Sequence, residues 1–216
     1  RAASDVYKRQ GLDRVYNNFV YDFLYPDPTS VLAFIENHDT DRFLGEGDNL
    51  PMLKQASTLL LTTRRIPQLY YGTEIMMNGV KSKSDGYVRK DFPGGWSDDK
   101  ANALTAAGRT KLQNECYNFY KTLLNWRKGN EVIAKGNMTQ FMVQHGVYAY
   151  ARQYNGKTVF VMLNGTDEAT TLPLKYYKEI LKDHAQGKDI LTGRIINLDG
   201  ELTMSPRESL VIEIFP

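Results

Sequence analysis

The chain has 216 residues, enough to bury a sizeable core in one large domain or two modest ones. Hydrophobic residues make up 42% and charged residues 24%, and the formal net charge is +2, without the basic blocks that favour nucleic-acid or acidic-membrane partners. No apolar run approaches the ~20 residues that span a bilayer. Cys116 is the single cysteine, which excludes an internal disulfide and leaves the redox compartment undetermined.

The first ten residues, RAASDVYKRQ, are interpreted as a non-native, adapter-like segment. They begin without Met and contain no apolar stretch, so they resemble neither a signal peptide nor an ordinary start. Targeting information therefore cannot be taken from them.

Residues 11–130 have the alternating pattern of an α/β domain. Helical spacing of apolar residues predicts a helix over 11–24, and Asn49 followed by a proline predicts a second helix that runs to residue 63. Residues 31–35 (VLAFI) are continuously apolar, which is typical of a parallel strand buried on both faces, and residues 66–71 (IPQLYY) are interpreted as another buried strand. A strand, a helix and a strand with short links indicate a βαβ unit.

A glycine-rich loop is predicted over residues 72–102, followed by a helix that Thr105 caps and that runs to about Lys128. Gly129 and Asn130 are predicted to end this helix. Its core-facing seam is predicted to consist of Leu112, Cys116, Phe119, Leu123 and Trp126.

After residue 130 the sequence changes to short alternating runs separated by turn residues. Asn155-Gly156 is a strong signal for a tight hairpin between two such runs. The pattern predicts an antiparallel β-sandwich over residues 131–216. Its strands are predicted at 138–143, 147–154, 158–163, 169–174, 190–191, 195–198, 201–204 and 209–215.

The string FIENHDTDR, residues 34–42, begins within the first predicted strand and continues past its end. It puts Asn37, His38 and Asp39 at the carboxyl end of that strand, where parallel α/β barrels build their active sites. A His-Asp pair by itself is more often structural or a surface feature. Its surroundings therefore decide how it is interpreted.

This string closely resembles the fourth conserved region of the α-amylase family of glycoside hydrolases, on the seventh strand of its barrel. IPQLYYGTE, residues 66–74, resembles the eighth strand. DGYVRKDFPGGW, residues 85–96, resembles the following loop in the neopullulanase and cyclomaltodextrinase branch. The resemblance covers nearly everything after residue 10. It implies about the last two strands of a TIM (β/α)8 barrel in 11–130, followed by an antiparallel β-sandwich domain in 131–216.

The resemblance implies a retaining hydrolase acting on α-1,4-glucosidic bonds of maltooligosaccharides, cyclodextrins or pullulan. Asp39 matches the family's third catalytic carboxylate, which stabilises the positively charged transition state. His38 matches the substrate-binding histidine. Asn37, Arg42 and Arg89 are expected to be further substrate-binding residues, although a structural salt bridge explains Arg42 equally well and loop stabilisation explains Arg89 equally well.

The nucleophilic Asp and the acid/base Glu of the family lie on earlier barrel strands, so the chain alone is expected to be inactive and to expose apolar surface. Asp13 and Asp22 lie in a helical pattern and are rejected as substitutes. A transglycosylase or isomerase of the same family remains an alternative. A non-catalytic carbohydrate-binding or transporter-associated member is another.

No cofactor is expected in this chain, and its loop aspartates lack the spacing of a calcium loop. Calcium is left open for the full-length enzyme. The expected partner is an α-glucan oligosaccharide, with no nucleic acid, no membrane span and an undetermined oligomeric state. The compartment cannot be read from the sequence, and the resemblance suggests a bacterial periplasm or cytoplasm.

Overall fold

The computed structural model describes residues 11–182 and 184–215, so the adapter-like segment 1–10 lies outside the described residues. The helices are α1 (Gly11–Val20), α2 (Leu50–Thr62), α3 (Asp85–Val88), α4 (Lys111–Arg127), α5 (Glu131–Lys135) and α6 (Lys178–Leu181). The strands are β1 (Leu32–Ala33), β2 (Ile66–Pro67), β3 (Asn137–Gln140), β4 (Val147–Tyr154), β5 (Lys157–Asn164), β6 (Thr170–Pro173), β7 (Gln186–Asp189), β8 (Ile195–Asn197), β9 (Glu201–Met204) and β10 (Ser209–Ile214). In the described part of the chain, no helix is long and apolar enough to cross a membrane.

Strands β1 and β2 are parallel and are joined through α2, which confirms the predicted βαβ unit. The prediction that both strands are buried is wrong, because Leu32 is 54% exposed and Ile66 is 49% exposed. Each strand has only two residues, and their sheet has only these two strands among the described residues. Apolar side chains on the faces of this narrow sheet are therefore partly exposed to solvent.

Helix α2 begins as the sequence predicts. The Asn49 side chain accepts a hydrogen bond from the backbone N–H of Met52 at 3.1 Å, which satisfies a donor that the first helical turn leaves free. Proline stands at the second helical position, where its missing N–H costs nothing. The apolar stripe of the helix is buried, and it consists of Met52, Leu53, Ala56 and Leu60.

Helix α4 begins later than predicted. Thr110, rather than Thr105, is its N-cap, and the Thr110 hydroxyl accepts from Gln113 N at 3.1 Å. The Gln113 Oε1 atom in turn accepts from Thr110 N at 2.9 Å, which completes a capping box. Thr105 instead accepts from Gly108 N at 3.2 Å within a turn before the helix.

The end of α4 agrees with the prediction, since Gly129 has a φ of +78° that a side chain would disfavour. The sequence interpretation missed the short helix α5 that follows. The Asn130 side chain caps it by accepting hydrogen bonds from Val132 N and Ile133 N at 3.0 and 3.3 Å.

Strands β3, β4, β5, β10, β7 and β8 form one antiparallel sheet in that order, and β6 pairs with β9 in a second. The bounds of β4 and β9 are as predicted, and φ is positive at both Asn155 and Gly156, as a tight hairpin requires. A strand at Ile190 and Leu191 was predicted wrongly. These residues form a turn, which the Asp189 carboxylate holds by accepting from Thr192 N at 3.1 Å.

Both faces of the large sheet are buried. On one face, Ala149 and Phe160 pack against Leu172 of β6 and Met204 of β9. On the other face, Tyr148, Tyr150 and Val161 pack against Leu12 and Val15 of α1 and Ile133 of α5. Tyr148 and Tyr150 are therefore core residues. Helix α1 of the N-terminal half thus shares a core with the sheet of the C-terminal half, whereas α2 and α4 pack against each other in a separate cluster.

Cys116 lies in the interior against α2 and is predicted to be unreactive in the folded protein. Burial raises the pKa of its thiol to about 12, and the reactive thiolate is therefore scarce at neutral pH. We expect alkylation by iodoacetamide at pH 8 to be at least about a hundredfold slower in buffer than in 8 M urea. Mass spectrometry over time measures both rates. Equal rates would contradict the prediction.

Candidate active site

The loop after β1 presents His38 and Asp39 to solvent, with side chains 59% and 60% exposed. The Asn37 side chain organises this loop, because its Oδ1 accepts from Asp39 N at 2.8 Å. Thr40 closes the turn by accepting from Asn37 N at 3.0 Å. Asn37 is therefore held by its own turn, while the His38 Nε2 and Asp39 Oδ2 atoms are 3.1 Å apart at the surface.

Arg89 connects this loop to the segment that follows β2. Its Nε donates to the carbonyl oxygen of His38 at 3.0 Å, and its Nη2 lies 3.2 Å from Asp39 Oδ1. The same Nη2 lies 3.1 Å from Asp85 Oδ2. The structure thus brings together His38, Asp39 and Arg89, three of the site residues predicted from two separate motifs.

Lys81 and Asp85 adjoin the same cluster, although the sequence interpretation did not include them in the site. The Lys81 ammonium donates to the carbonyl oxygen of Asp39 at 3.0 Å and lies 3.5 Å from Asp85 Oδ1. The backbone N–H of Lys81 donates to Asp41 Oδ1 at 2.6 Å. Asp85 opens the motif that resembles the family loop, which was a usable signal, whereas no pattern marks Lys81.

Arg42 does not lie at the surface of this cluster, so its prediction as a substrate-binding residue is wrong for the structure observed. It is 1% exposed, and its Nη1 lies 3.1 Å from Oε1 of Glu36, which is 2% exposed. Its Nε donates to Val88 O at 3.0 Å and its Nη1 to Tyr71 O at 2.7 Å. The structural salt bridge is the interpretation that fits, because protein groups surround the guanidinium.

The exposed cluster has the chemistry of a site for hydroxyl groups. An ionised carboxylate offers about four acceptor positions, and Arg89 and His38 each approach a different oxygen of Asp39. The carboxylate therefore keeps acceptor capacity for further donors. The imidazole of His38 can donate to a hydroxyl oxygen beside it.

Comparison with known proteins relates the chain to enzymes that act on α-glucans. Residues 138–213 match the family model described as the cyclo-malto-dextrinase C-terminal domain. The chain is 29% identical over 191 residues to an α-amylase of Niallia circulans, covering 85% of this chain and 32% of that protein. It is 30% identical over 188 residues to a cyclomaltodextrin glucanotransferase of Thermoanaerobacterium thermosulfurigenes, covering 83% of this chain and 24% of that protein.

Among solved structures, the fold resembles the α-amylase of Geobacillus thermoleovorans in complex with acarbose. The TM-score is 0.75 at 22% identity, over 100% of this chain and 46% of that structure. Residues 138–213 therefore carry a cyclomaltodextrinase-type C-terminal domain, and the chain is similar over most of its length to enzymes of the α-amylase family. It spans no more than about a third of the length of these two curated relatives, 32% of the first and 24% of the second.

Proposed function

We propose that this chain is the C-terminal part of a retaining α-glucan hydrolase that cleaves α-1,4-glucosidic bonds of maltooligosaccharides, cyclodextrins or pullulan. The observation that carries the proposal is the joint position of Asp39 and His38 at the carboxyl end of β1, held by Arg89 from the loop after β2. Residues 11–130 would belong to a (β/α)8 barrel, and residues 131–216 would form its β-sandwich domain.

In this proposal Asp39 binds sugar hydroxyls next to the reacting carbon. Its negative charge stabilises the oxocarbenium-like transition state more than the neutral ground state, and this difference accelerates the reaction. His38 donates a hydrogen bond to a hydroxyl of the same sugar ring, and Arg89 holds Asp39 in place. The nucleophilic Asp and the acid/base Glu come from segments outside this chain. The proposed chemistry relies on carboxylates and requires no cofactor.

The chain alone is proposed to be inactive. Exposed apolar side chains lie on and near β1 and β2, at Leu32 (54%), Phe34 (41%), Ile66 (49%) and Leu69 (38%). Open strand edges and exposed apolar side chains of this kind favour the addition of further parallel strands. This supports completion of the sheet by other strands of a longer protein.

Transglycosylation is the second candidate function, and one observation favours it. Several curated relatives at 28–30% identity are cyclomaltodextrin glucanotransferases. A hydrolase and a glucanotransferase differ in whether water or a sugar hydroxyl attacks the covalent intermediate. Asp39 would have the same role in both reactions.

The test is to extend the coding DNA upstream of residue 11 and to express the longer protein. We expect an Asp at the end of the fourth barrel strand and a Glu at the end of the fifth. The protein should release reducing sugar from maltoheptaose or β-cyclodextrin, whereas the 216-residue chain should not. Cyclic or elongated products on chromatography would identify a transferase. Absence of either carboxylate would make the parent a binding or scaffold protein.

A further inference from the structure

We propose that the buried ion pair between Glu36 and Arg42 positions Asp39 and Arg89 for the reaction. This inference rests on the proposed function and deepens it, because neither member of the pair is exposed enough to touch substrate. Glu36 and Arg42 would act through the two loops that carry the exposed residues.

Glu36 holds the loop after β1 from inside the protein. Its Oε2 accepts from Phe43 N at 2.5 Å, which ties together the two ends of the turn that contains His38 and Asp39. Its Oε1 accepts from Arg42 Nη1 at 3.1 Å. Glu36 is 2% exposed, so the surrounding protein fixes the position of its carboxylate.

The same carboxylate reaches the end of β2. Glu36 Oε1 accepts from the Thr73 hydroxyl at 2.5 Å. The N–H groups of Phe43 and Arg42 can only donate. The Thr73 hydroxyl shares its single proton between Glu36 Oε1 and Tyr70 O, which lies 2.6 Å away, so a carboxylate suits the position. A Gln at residue 36 would turn an NH2 group towards a donor and leave one hydrogen bond unmade.

Arg42 extends this anchor to the segment that carries Arg89. Its Nε donates to the carbonyl oxygen of Val88, the residue immediately before Arg89, at 3.0 Å. Its backbone N–H donates to Gly79 O at 2.9 Å, and its guanidinium lies 4.0 Å from the centre of the Tyr70 ring. The pair therefore sets the distance between the loop that presents Asp39 and the backbone that presents Arg89.

A second buried carboxylate in the same half of the chain provides a matched comparison. Asp22 is 3% exposed and forms ion pairs with Arg64, at 2.8 Å from its Nε, and with Arg65. Arg64 and Arg65 directly precede β2, whereas Glu36 follows β1. Strands β1 and β2 are parallel, so Asp22 lies near the amino end of this two-stranded sheet and Asp39 near its carboxyl end.

The experiment compares Glu36→Gln with Asp22→Asn in the full-length enzyme. Both substitutions replace a buried carboxylate by its amide and should lower the melting temperature. At a temperature where both variants are folded, we expect Glu36→Gln to lower kcat about ten- to a hundredfold with KM changed less than about threefold. Asp22→Asn should keep kcat within about twofold.

The outcomes separate this inference from the proposed function. Equal kcat losses in the two variants, or an unchanged kcat in Glu36→Gln, would overturn the positioning role. Full activity of Asp39→Asn would instead overturn the proposed function. If Glu36→Gln does not fold, Thr73→Val decides, since it removes one donor to Glu36 at nearly constant volume. That variant should lower kcat several-fold, and an unchanged kcat would overturn the inference.

Discussion

Replacing Asp39 with Asn in the full-length enzyme is expected to lower kcat by about 100- to 1,000-fold, with a much smaller change in KM. The amide has nearly the same shape as the carboxylate but carries no charge. It loses the attraction for positive charge that develops on the sugar ring only in the transition state. The ground state is neutral, so binding should suffer less than turnover.

Initial rates on maltoheptaose measure this effect, and circular dichroism checks that the variant is folded. Asp48→Asn is a suitable control, because Asp48 is an exposed aspartate that precedes α2 and lies outside the cluster. Its kcat should stay within about twofold of the unchanged protein. An Asp39→Asn enzyme with more than about a tenth of the original kcat would contradict the assigned role.

Replacing Arg152 with Met is expected to lower the free energy of unfolding by about 3 kcal/mol. Arg152 is 1% exposed, and its Nη1 donates to Thr62 O at 2.9 Å. Its Nη2 donates to Ile133 O at 2.9 Å and to Gly136 O at 2.8 Å. The side chain thus ties the last residue of α2, the middle of α5 and the C-cap of α5 to strand β4.

The charge of Arg152 does not alter the direction of this prediction. Burial lowers the pKa of Arg152 to about 10, so its guanidinium still carries the proton at pH 7. Methionine fills a similar volume but leaves three buried or half-buried carbonyl oxygens without their donors, each at a cost of about 1 kcal/mol or more. Removal of a buried charge offsets part of that loss.

Urea unfolding of the chain measures the difference in free energy. Arg194→Met is the control, because Arg194 is about half exposed and pairs with Glu208 at the surface. This control should change the free energy of unfolding by less than about 0.5 kcal/mol. A loss below about 1 kcal/mol in Arg152→Met would show that solvent or nearby groups replace its three hydrogen bonds.

Local features of the fold could be predicted from the sequence alone. The cap at Asn49, the hairpin at Asn155-Gly156 and the stop at Gly129 each depend on the conformational preference of one or two residues. The start of α4 was placed five residues too early because Thr105 and Thr110 are both good caps. Only Thr110 is followed at the third position by a Gln that completes the capping box.

The family and the exposed candidates Asp39 and His38 followed from motifs, since those strings are contiguous. The partners of these residues did not follow. Arg89 contacts the carboxylate of Asp39 although the two residues are 50 positions apart in the sequence. Lys81 contacts the backbone carbonyl oxygen of Asp39 from 42 positions away. Such contacts depend on how the loops after β1 and β2 close on each other, and no local periodicity records that.

Burial decided the role of Arg42. Sequence patterns place a cation near the Asn-His-Asp motif, but they leave substrate binding and a structural salt bridge equally open. The tertiary structure places Glu36, Tyr71 and Val88 around the guanidinium and closes it off from solvent. Charge and spacing are properties of the chain, but access to solvent arises only when distant segments pack together.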